Sequence, residues 1–371
     1  MNSNKLDSLT WLRGFAAFFV ILNHVILVSR AQYTPQDETP YLVPFDFFNI
    51  GMFAVYLFFA LSGCTLTISH AKKINTFSDF IPFYIKRFFR IWPAFAVSMV
   101  IYLLYIEVFK VLYVSDKNLW VAEFLKEYTI KDVFGYLSLT FNITGPRGLF
   151  NGPYWSLPVE FQYYLLLPFA LILMKNRWTN FLVPLIFGVV LYVIYCGKLI
   201  VFDRNDVFKM GFAFFGGVLI AKYYTYISYK IPLLLTTAIF LVTSFVMGLL
   251  ANRFVELPDS IPIINDGSNI YGICSVLIVG LALITKPIEN PGRFLNFLTF
   301  YGEISYSTYL FHMMFIGAAG LIISYCGIHS YMNKLIFSLF FTLIGSYFFS
   351  VATYYFIEKP SIDFGARLVK K

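Results

Sequence analysis

The stretch LDSLTWLRGFAAFFVILNHVILVS, Leu6 to Ser29, decides the fold class. From Trp11 to Ser29 it is almost wholly apolar, and as a helix it is long enough to cross about 30 Å of hydrocarbon. Two residues interrupt that reading: Arg13 near the start and His24 well inside. An ionisable side chain at mid-membrane costs roughly 2.5 kcal/mol or more, so each needs a reason to be there. Eleven residues make about three turns plus 20°, which places Arg13 and His24 on one helix face about 16 Å apart. Gly14, Ala16 and Ala17 between them let a neighbouring helix approach closely. Taken singly, Arg13 snorkelling to the interface and His24 making one interhelical hydrogen bond would also account for them.

The composition extends this reading to the whole chain. Of 371 residues, 59% are hydrophobic and only 13% are charged. That charge content is about half the soluble average and indicates an integral membrane protein. The 44 Phe and 27 Tyr suit lipid-facing surfaces and interfacial belts. The net charge of +8 fits basic cytoplasmic loops, so no nucleic-acid partner is expected. Cys64, Cys196, Cys274 and Cys326 lie in or beside apolar segments without metal spacing, and are expected to be small core residues without a disulfide. The four histidines show no paired ligand spacing, so no metal site is expected, and His70 and His329 at span ends are given no role. No cleavable signal peptide is expected at the polar N-terminus.

Ten apolar runs are long enough to span: 11–29, 51–70, 91–114, 155–174, 180–201, 207–226, 231–250, 268–286, 304–325 and 333–357. The segment 133–143 is too short and reads as a short or re-entrant helix. The expectation is one all-α polytopic domain over residues 1–371, without a repeat of the inverted-transporter kind. Lys and Arg concentrate in the loops on the side of the termini, while Arg30 and Arg253 stand alone in short loops opposite. The positive-inside rule then puts both termini in the cytoplasm.

Three further polar groups stand out. Glu160, in YWSLPVEFQYYLLLP, lies about 7 Å below the outer boundary, a depth His24 reaches from the other side. A carboxylate there suits the support of a histidine base, or a structural ion pair or water-filled vestibule. Ser305, Tyr309 and His312 in SYSTYLFH fall at i, i+4 and i+7, one stripe that fits a substrate channel or an interhelical hydrogen-bond seam. In KRFFRIWP, Arg87 and Arg90 at i, i+3 offer two forks suited to a phosphate group, in a loop where the positive-inside effect already favours charge. Glu107 and Lys110 read as a local i, i+3 pair.

Together these segments resemble the membrane-bound acyltransferase 3 family, bacterial multi-span enzymes that acylate sugars and related acceptors. LDSLTWLRGFAAFFVILNH resembles its Arg-x10-His opening and VYLFFALSGCTLT its second span. KRFFRIWPAF is similar to its Arg-x-x-Arg segment, and NGPYWSLPVEFQYYLLLP to its Trp-Ser-Leu…Glu segment. ISYSTYLFH and FIEKP resemble its ninth span and closing Glu-x-Pro. Three departures accompany the match. Ser8-Leu9-Thr10-Trp11-Leu12-Arg13 replaces the usual Gly-Leu-Arg beginning, Phe161 and Gln162 stand where a second carboxylate often follows Glu160, and the frequent C-terminal esterase-like domain is not expected.

The resemblance implies acyl-CoA, most often acetyl-CoA, as a co-substrate reached from the cytoplasm, with no bound cofactor. Arg87 and Arg90 would hold its phosphates, Arg13 would mark where the donor arm enters, and His24 would be the general base, oriented by Glu160. Direct transfer and an acyl-histidine relay stay open. Ser305, Tyr309 and His312 would contact substrate. Aromatic rings stack on sugars, so Tyr154 and Trp155, with Tyr163 and Tyr164 nearby, point to a carbohydrate acceptor such as a surface polysaccharide, O-antigen or lipid-linked glycan. The expected location is the bacterial cytoplasmic (inner) membrane, among membrane lipids. A transporter or flippase of an anionic solute is the competing reading and predicts flux without covalent turnover. A scaffold with structural polar seams is the third.

Overall fold

A computed structural model describes residues 4–31, 50–112, 125–145, 148–200, 206–251, 268–288 and 290–370. Apart from one isolated parallel bridge, Ile231 with Thr285, the regular elements among them are helical. They are α1 (Asn4–Ala31), α2 (Gly51–His70), α3 (Phe80–Leu112), α4 (Ile130–Leu137), α5 (Phe141–Thr144), α6 (Ser156–Leu173), α7 (Arg177–Cys196) and α8 (Asp206–Lys209). There follow α9 (Gly211–Tyr223), α10 (Leu233–Ala251), α11 (Ser268–Leu283), α12 (Arg293–Glu303), α13 (Ser305–Tyr325), α14 (Tyr331–Thr353) and α15 (Lys359–Leu368). A π-turn, Tyr354–Glu358, joins the last two.

Among the described residues, nine helical stretches are long and apolar enough to cross a membrane. The distribution of polarity is that of a protein dissolved in lipid. Leu234, Phe348 and Phe356 are 82%, 68% and 81% exposed, while Ser98, Ser307, Thr308 and His312 are fully buried. Apolar side chains outward and hydrogen-bonding side chains inward reverse the pattern of a soluble domain. The protein is an all-α polytopic membrane protein.

The spans expected from sequence recur, with differences at three places, and the segment 133–143 forms short helices as expected. The run 268–286 appears as α11, only 16 residues and short for a straight crossing. Residues 252–267 before it lie outside the described set. The third span begins earlier than expected, because α3 starts at Phe80, so Arg87 and Arg90 lie inside the helix rather than at its start. The segment 133–143 forms α4 and α5, both short, with Thr129 and Asp132 closing a capping box at the head of α4. α12, with Phe294, Leu295, Phe297, Leu298 and Phe300, was not anticipated, because eleven residues give no spanning signal. The expected orientation of the termini rests partly on Arg30 and Arg253, whose side chains lie outside the described residues. Of the cysteines, Cys64 is a buried core residue as expected, whereas Cys196 and Cys326 are exposed and Cys274 half-buried.

The described residues form two compact units that interleave along the chain. The first holds α1 up to Ala17, α2, the beginning of α3 to Tyr84, and Val159–Glu303. In it α2 and α9 pack closely along their length. A Cβ on Gly217 would stand 2.1 Å from the Ala60 carbonyl oxygen, and one on Gly63 would stand 2.1 Å from that of Phe214. Only hydrogen fits at either position, so the backbones meet directly. α12 packs on the start of α1: Gly14 lies against the Leu298 carbonyl, and the Trp11 indole Nε1 donates to Thr299 Oγ1 at 2.7 Å.

The second unit holds the rest of α1 from Phe18, α3 from Ile85, α4, α5, the turn to Pro158, and Ile304–Lys371. α13 and α14 pair lengthwise. α15 lies on α3, where Gly365 seats the Phe89 ring.

Candidate active site

The second unit brings two histidines together. His24 of α1 is half-buried, and His312 of α13 is fully buried. His24 Nδ1 stands 3.3 Å from His312 Nε2 and 2.8 Å from the Val20 carbonyl oxygen one turn earlier. His312 Nδ1 lies 3.1 Å from the Thr308 carbonyl oxygen and 2.9 Å from that of Tyr309. The ring centroids are 5.1 Å apart.

The segment before α6 fixes α13 in place just beside His312. Asn151, buried, donates from its amide to the Leu310 carbonyl oxygen at 2.9 Å. Tyr309 donates its hydroxyl proton to the Pro153 carbonyl oxygen at 2.5 Å and accepts from Ser156 Oγ at 2.7 Å. Pro153 sits in a 3₁₀ turn, Gly152–Trp155, whose Tyr154 is wholly buried against Phe95, Tyr102 and Tyr136. Tyr154 also gives its hydroxyl to Ser98 Oγ at 2.7 Å, since the Ser98 proton goes to the Phe95 carbonyl. That leaves Tyr154 no open face for a sugar, so it supports the turn. Trp155 beside it is half-buried. Ser305 is buried at the start of α13. Of the two readings of the Ser305–Tyr309–His312 stripe, Tyr309 makes the hydrogen-bond seam.

Arg90 has a protein partner that the sequence reading did not assign. Its guanidinium pairs with the Glu358 carboxylate, which is buried at the π-turn. Glu358 Oε2 also accepts from Ser307 Oγ at 2.6 Å. Arg90 lies over the Tyr306 ring, 5.7 Å from its centroid, and Tyr306 in turn donates to the Ile91 carbonyl at 2.8 Å. A buried carboxylate is stable only when paired and hydrogen-bonded, and Glu358 has both partners. The Arg90 side chain keeps 26% of its surface exposed, and Arg87 one turn earlier is half-buried. Arg90 is thus held by a carboxylate from the far end of the chain. FIEKP carried the signal for Glu358, a carboxylate closing a long apolar run. Ser307, Asn151 and Ser156 had no such signal, because their roles come from tertiary partners.

Arg13 and Glu160 belong to the first unit. Arg13 Nη2 donates to Thr65 Oγ1 at 2.7 Å, and that hydroxyl donates to the Leu61 carbonyl at 2.8 Å. Glu160 accepts from Tyr164 at 2.5 Å and from Ser62 Oγ at 3.2 Å. Ser62 and Thr65 stand at i, i+3 on α2, so one stretch of that helix, LSGCT, supplies hydroxyls to both charged groups. The orienting partners found for His24 are Val20 and His312, and those found for Glu160 are Tyr164 and Ser62.

A family described as Acyltransferase domain matches residues 6–355, which include Arg13, His24, Arg87, Arg90, Glu160 and His312 and stop just short of Glu358. An "O-acetyl transferase" of Shigella phage Sf6 is 30% identical over 191 residues, covering 50% of this chain and 51% of that one. The chain thus spans about half the length of the curated relative it matches. No solved structure matches. With nearly its whole length covered, the chain belongs to the acyltransferase-domain family.

Proposed function

We propose that this protein is an O-acyltransferase that moves an acyl group, acetyl first among candidates, from acyl-CoA to a hydroxyl of a carbohydrate acceptor. Family membership and a relative named as an O-acetyl transferase support the reaction class. The observation that carries the reading is His24: a half-buried residue within a spanning helix, its imidazole Nδ1 set between the Val20 carbonyl and His312. A base placed there removes the acceptor proton as the hydroxyl oxygen attacks the thioester carbonyl carbon. The C–S bond breaks, and the thiol leaves with that proton.

Arg87 and Arg90 are the proposed phosphate contacts for the donor. Arg90 is held by Glu358, which Ser307 holds in turn, so its exposed edge is pre-oriented and loses little freedom on binding. Arg13 and Glu160 are proposed to serve donor entry and support of the site. Trp155 is the proposed stacking surface for a glycan. Both termini are assigned to the cytoplasm of a bacterial inner-membrane protein, which puts the acyl-CoA pool on the side of the basic loops.

The test is label transfer. Membranes containing the protein are given acetyl-labelled acetyl-CoA and a mixed glycan extract. Label is expected in the glycan fraction with the wild type and not with His24→Ala. Equal labelling by both would refute the assignment of His24.

A further inference from the structure

The contacts of the two imidazoles determine where their hydrogens sit. Carbonyl oxygens only accept, so His312 Nδ1, which faces the Thr308 and Tyr309 carbonyls, carries its hydrogen. In a neutral ring the Nε2 of His312 then bears a lone pair. That lone pair faces His24 Nδ1 at 3.3 Å, and His24 Nδ1 also faces the Val20 carbonyl at 2.8 Å. Both partners of His24 Nδ1 are acceptors, so that nitrogen carries the hydrogen and His24 Nε2 is left bare. The helix carbonyl alone is an ordinary contact: His70 Nδ1 lies 3.2 Å from Leu66 O in the same i−4 way. What distinguishes His24 is the second acceptor, supplied by a fully buried residue whose own hydrogen is fixed by two carbonyls.

We infer that His312 is a positioning residue whose Nε2 lone pair, together with the Val20 carbonyl, holds His24 in the Nδ1–H tautomer, leaving His24 Nε2 as the nitrogen that accepts the acceptor's proton. The inference rests on the acyl-transfer reading only for its last clause. In the step itself, the O–H proton passes to His24 Nε2 while oxygen bonds to the thioester carbon. The sulfur then departs with the same proton. While His24 holds both hydrogens, its Nδ1–H remains on His312 Nε2, which steadies the positive ring. The opposite tautomer would present an N–H where a lone pair is needed. His312 itself touches neither substrate.

Two substitutions separate the roles. In His312→Asn the amide nitrogen stands near the old Nδ1 and keeps the helix-carbonyl bonds, but the acceptor facing His24 is gone. In His312→Gln the amide oxygen reaches near the old Nε2 and keeps that acceptor. His312→Asn should lower kcat on the order of 10²–10⁴-fold, the effect of a mis-set base. The KM for acetyl-CoA should stay within about threefold, because donor binding is untouched. His312→Gln should retain most of the lost activity. Wild-type kcat in His312→Asn, or an equal fall in both variants, would overturn the proposal.

A second measurement needs no turnover and no variant to survive. With only four histidines in the chain, ¹⁵N-histidine labelling in lipid resolves each ring. His24 should read as Nδ1–H in the wild type and gain a share of the Nε2–H tautomer in His312→Asn, where the Val20 carbonyl is left as the Nδ1 acceptor; an unchanged Nδ1–H signal in the variant would show that the carbonyl suffices and overturn the role of His312. An Nε2–H signal at His24 in the wild type would overturn the proposal. A pure Nδ1–H signal that mixes in the variant, from a protein that transfers no acetyl group, would sustain the positioning role and refute the acyl-transfer reading instead.

Discussion

Glu358 is a charged residue held on both of its carboxylate oxygens. It is buried at the π-turn, paired with Arg90 and bonded to Ser307. Removing one partner of a buried pair strands the other, at a cost of about 3–5 kcal/mol, whereas replacing both with apolar groups is close to neutral. Glu358→Ala should therefore lower the melting temperature sharply. The double variant Glu358→Met with Arg90→Met should recover most of that stability while still lacking acyl transfer. Recovery of both stability and activity would remove Arg90 from the donor site. Arg87 makes the complementary case. If it holds a donor phosphate, Arg87→Ala should raise the KM for acetyl-CoA by about 10- to 100-fold, the equivalent of one charge-assisted bond. Kinetics with unchanged KM would exclude that contact. At this scale the sequence marked which residues were unusual but not their partners. His24 and His312 are 288 positions apart, and Arg90 and Glu358 are 268. A side chain's chemistry is local, whereas its hydrogen-bond partner is chosen by the fold. Tyr154 shows the same limit: its ring type suggested a sugar platform, and burial made it a prop.

Helices are where the sequence was most readable, because each long apolar run must satisfy its own backbone and becomes a helix. The element that escaped it, α12, lacks that signal and is defined by packing. Glycine positions make the packing testable. A Cβ at Gly217 would meet a backbone oxygen at 2.1 Å, while one at Gly292 meets nothing within 4 Å. Gly217→Ala should destabilise the protein by about 1–3 kcal/mol, the usual cost of overpacking, and Gly292→Ala should not. Equal melting temperatures would contradict the close crossing of α2 and α9. Outside the spans, α4 depends on its cap. The Asp132 carboxylate accepts from the hydroxyl and backbone N–H of Thr129, and these bonds hold its pKa below the usual carboxylate value. A depressed folded pKa means the stabilisation is present above the ordinary aspartate value of about 3.9 and is lost as pH falls through the folded value. Amide protection at the start of α4 should decline below about pH 4. Thr129→Ala should cost about 1 kcal/mol of that local stability. Protection unchanged at low pH would contradict the cap.

Across the whole chain, the apolar exterior and buried polar side chains establish a polytopic membrane protein, and the family match covers residues 6–355. Composition and order of motifs made this much legible from the sequence, since both are properties of the chain rather than of its contacts. The transporter and the enzyme place similar polar groups in similar helices, and differ in whether a covalent bond is broken. Thiol release from acetyl-CoA by the purified protein in detergent, with a mixed glycan extract as acceptor and wild type beside His24→Ala, measures that directly. The account predicts release by the wild type and a loss of about 10²-fold or more in the variant. Release that continues undiminished without His24, or solute flux with no thiol released, would contradict it.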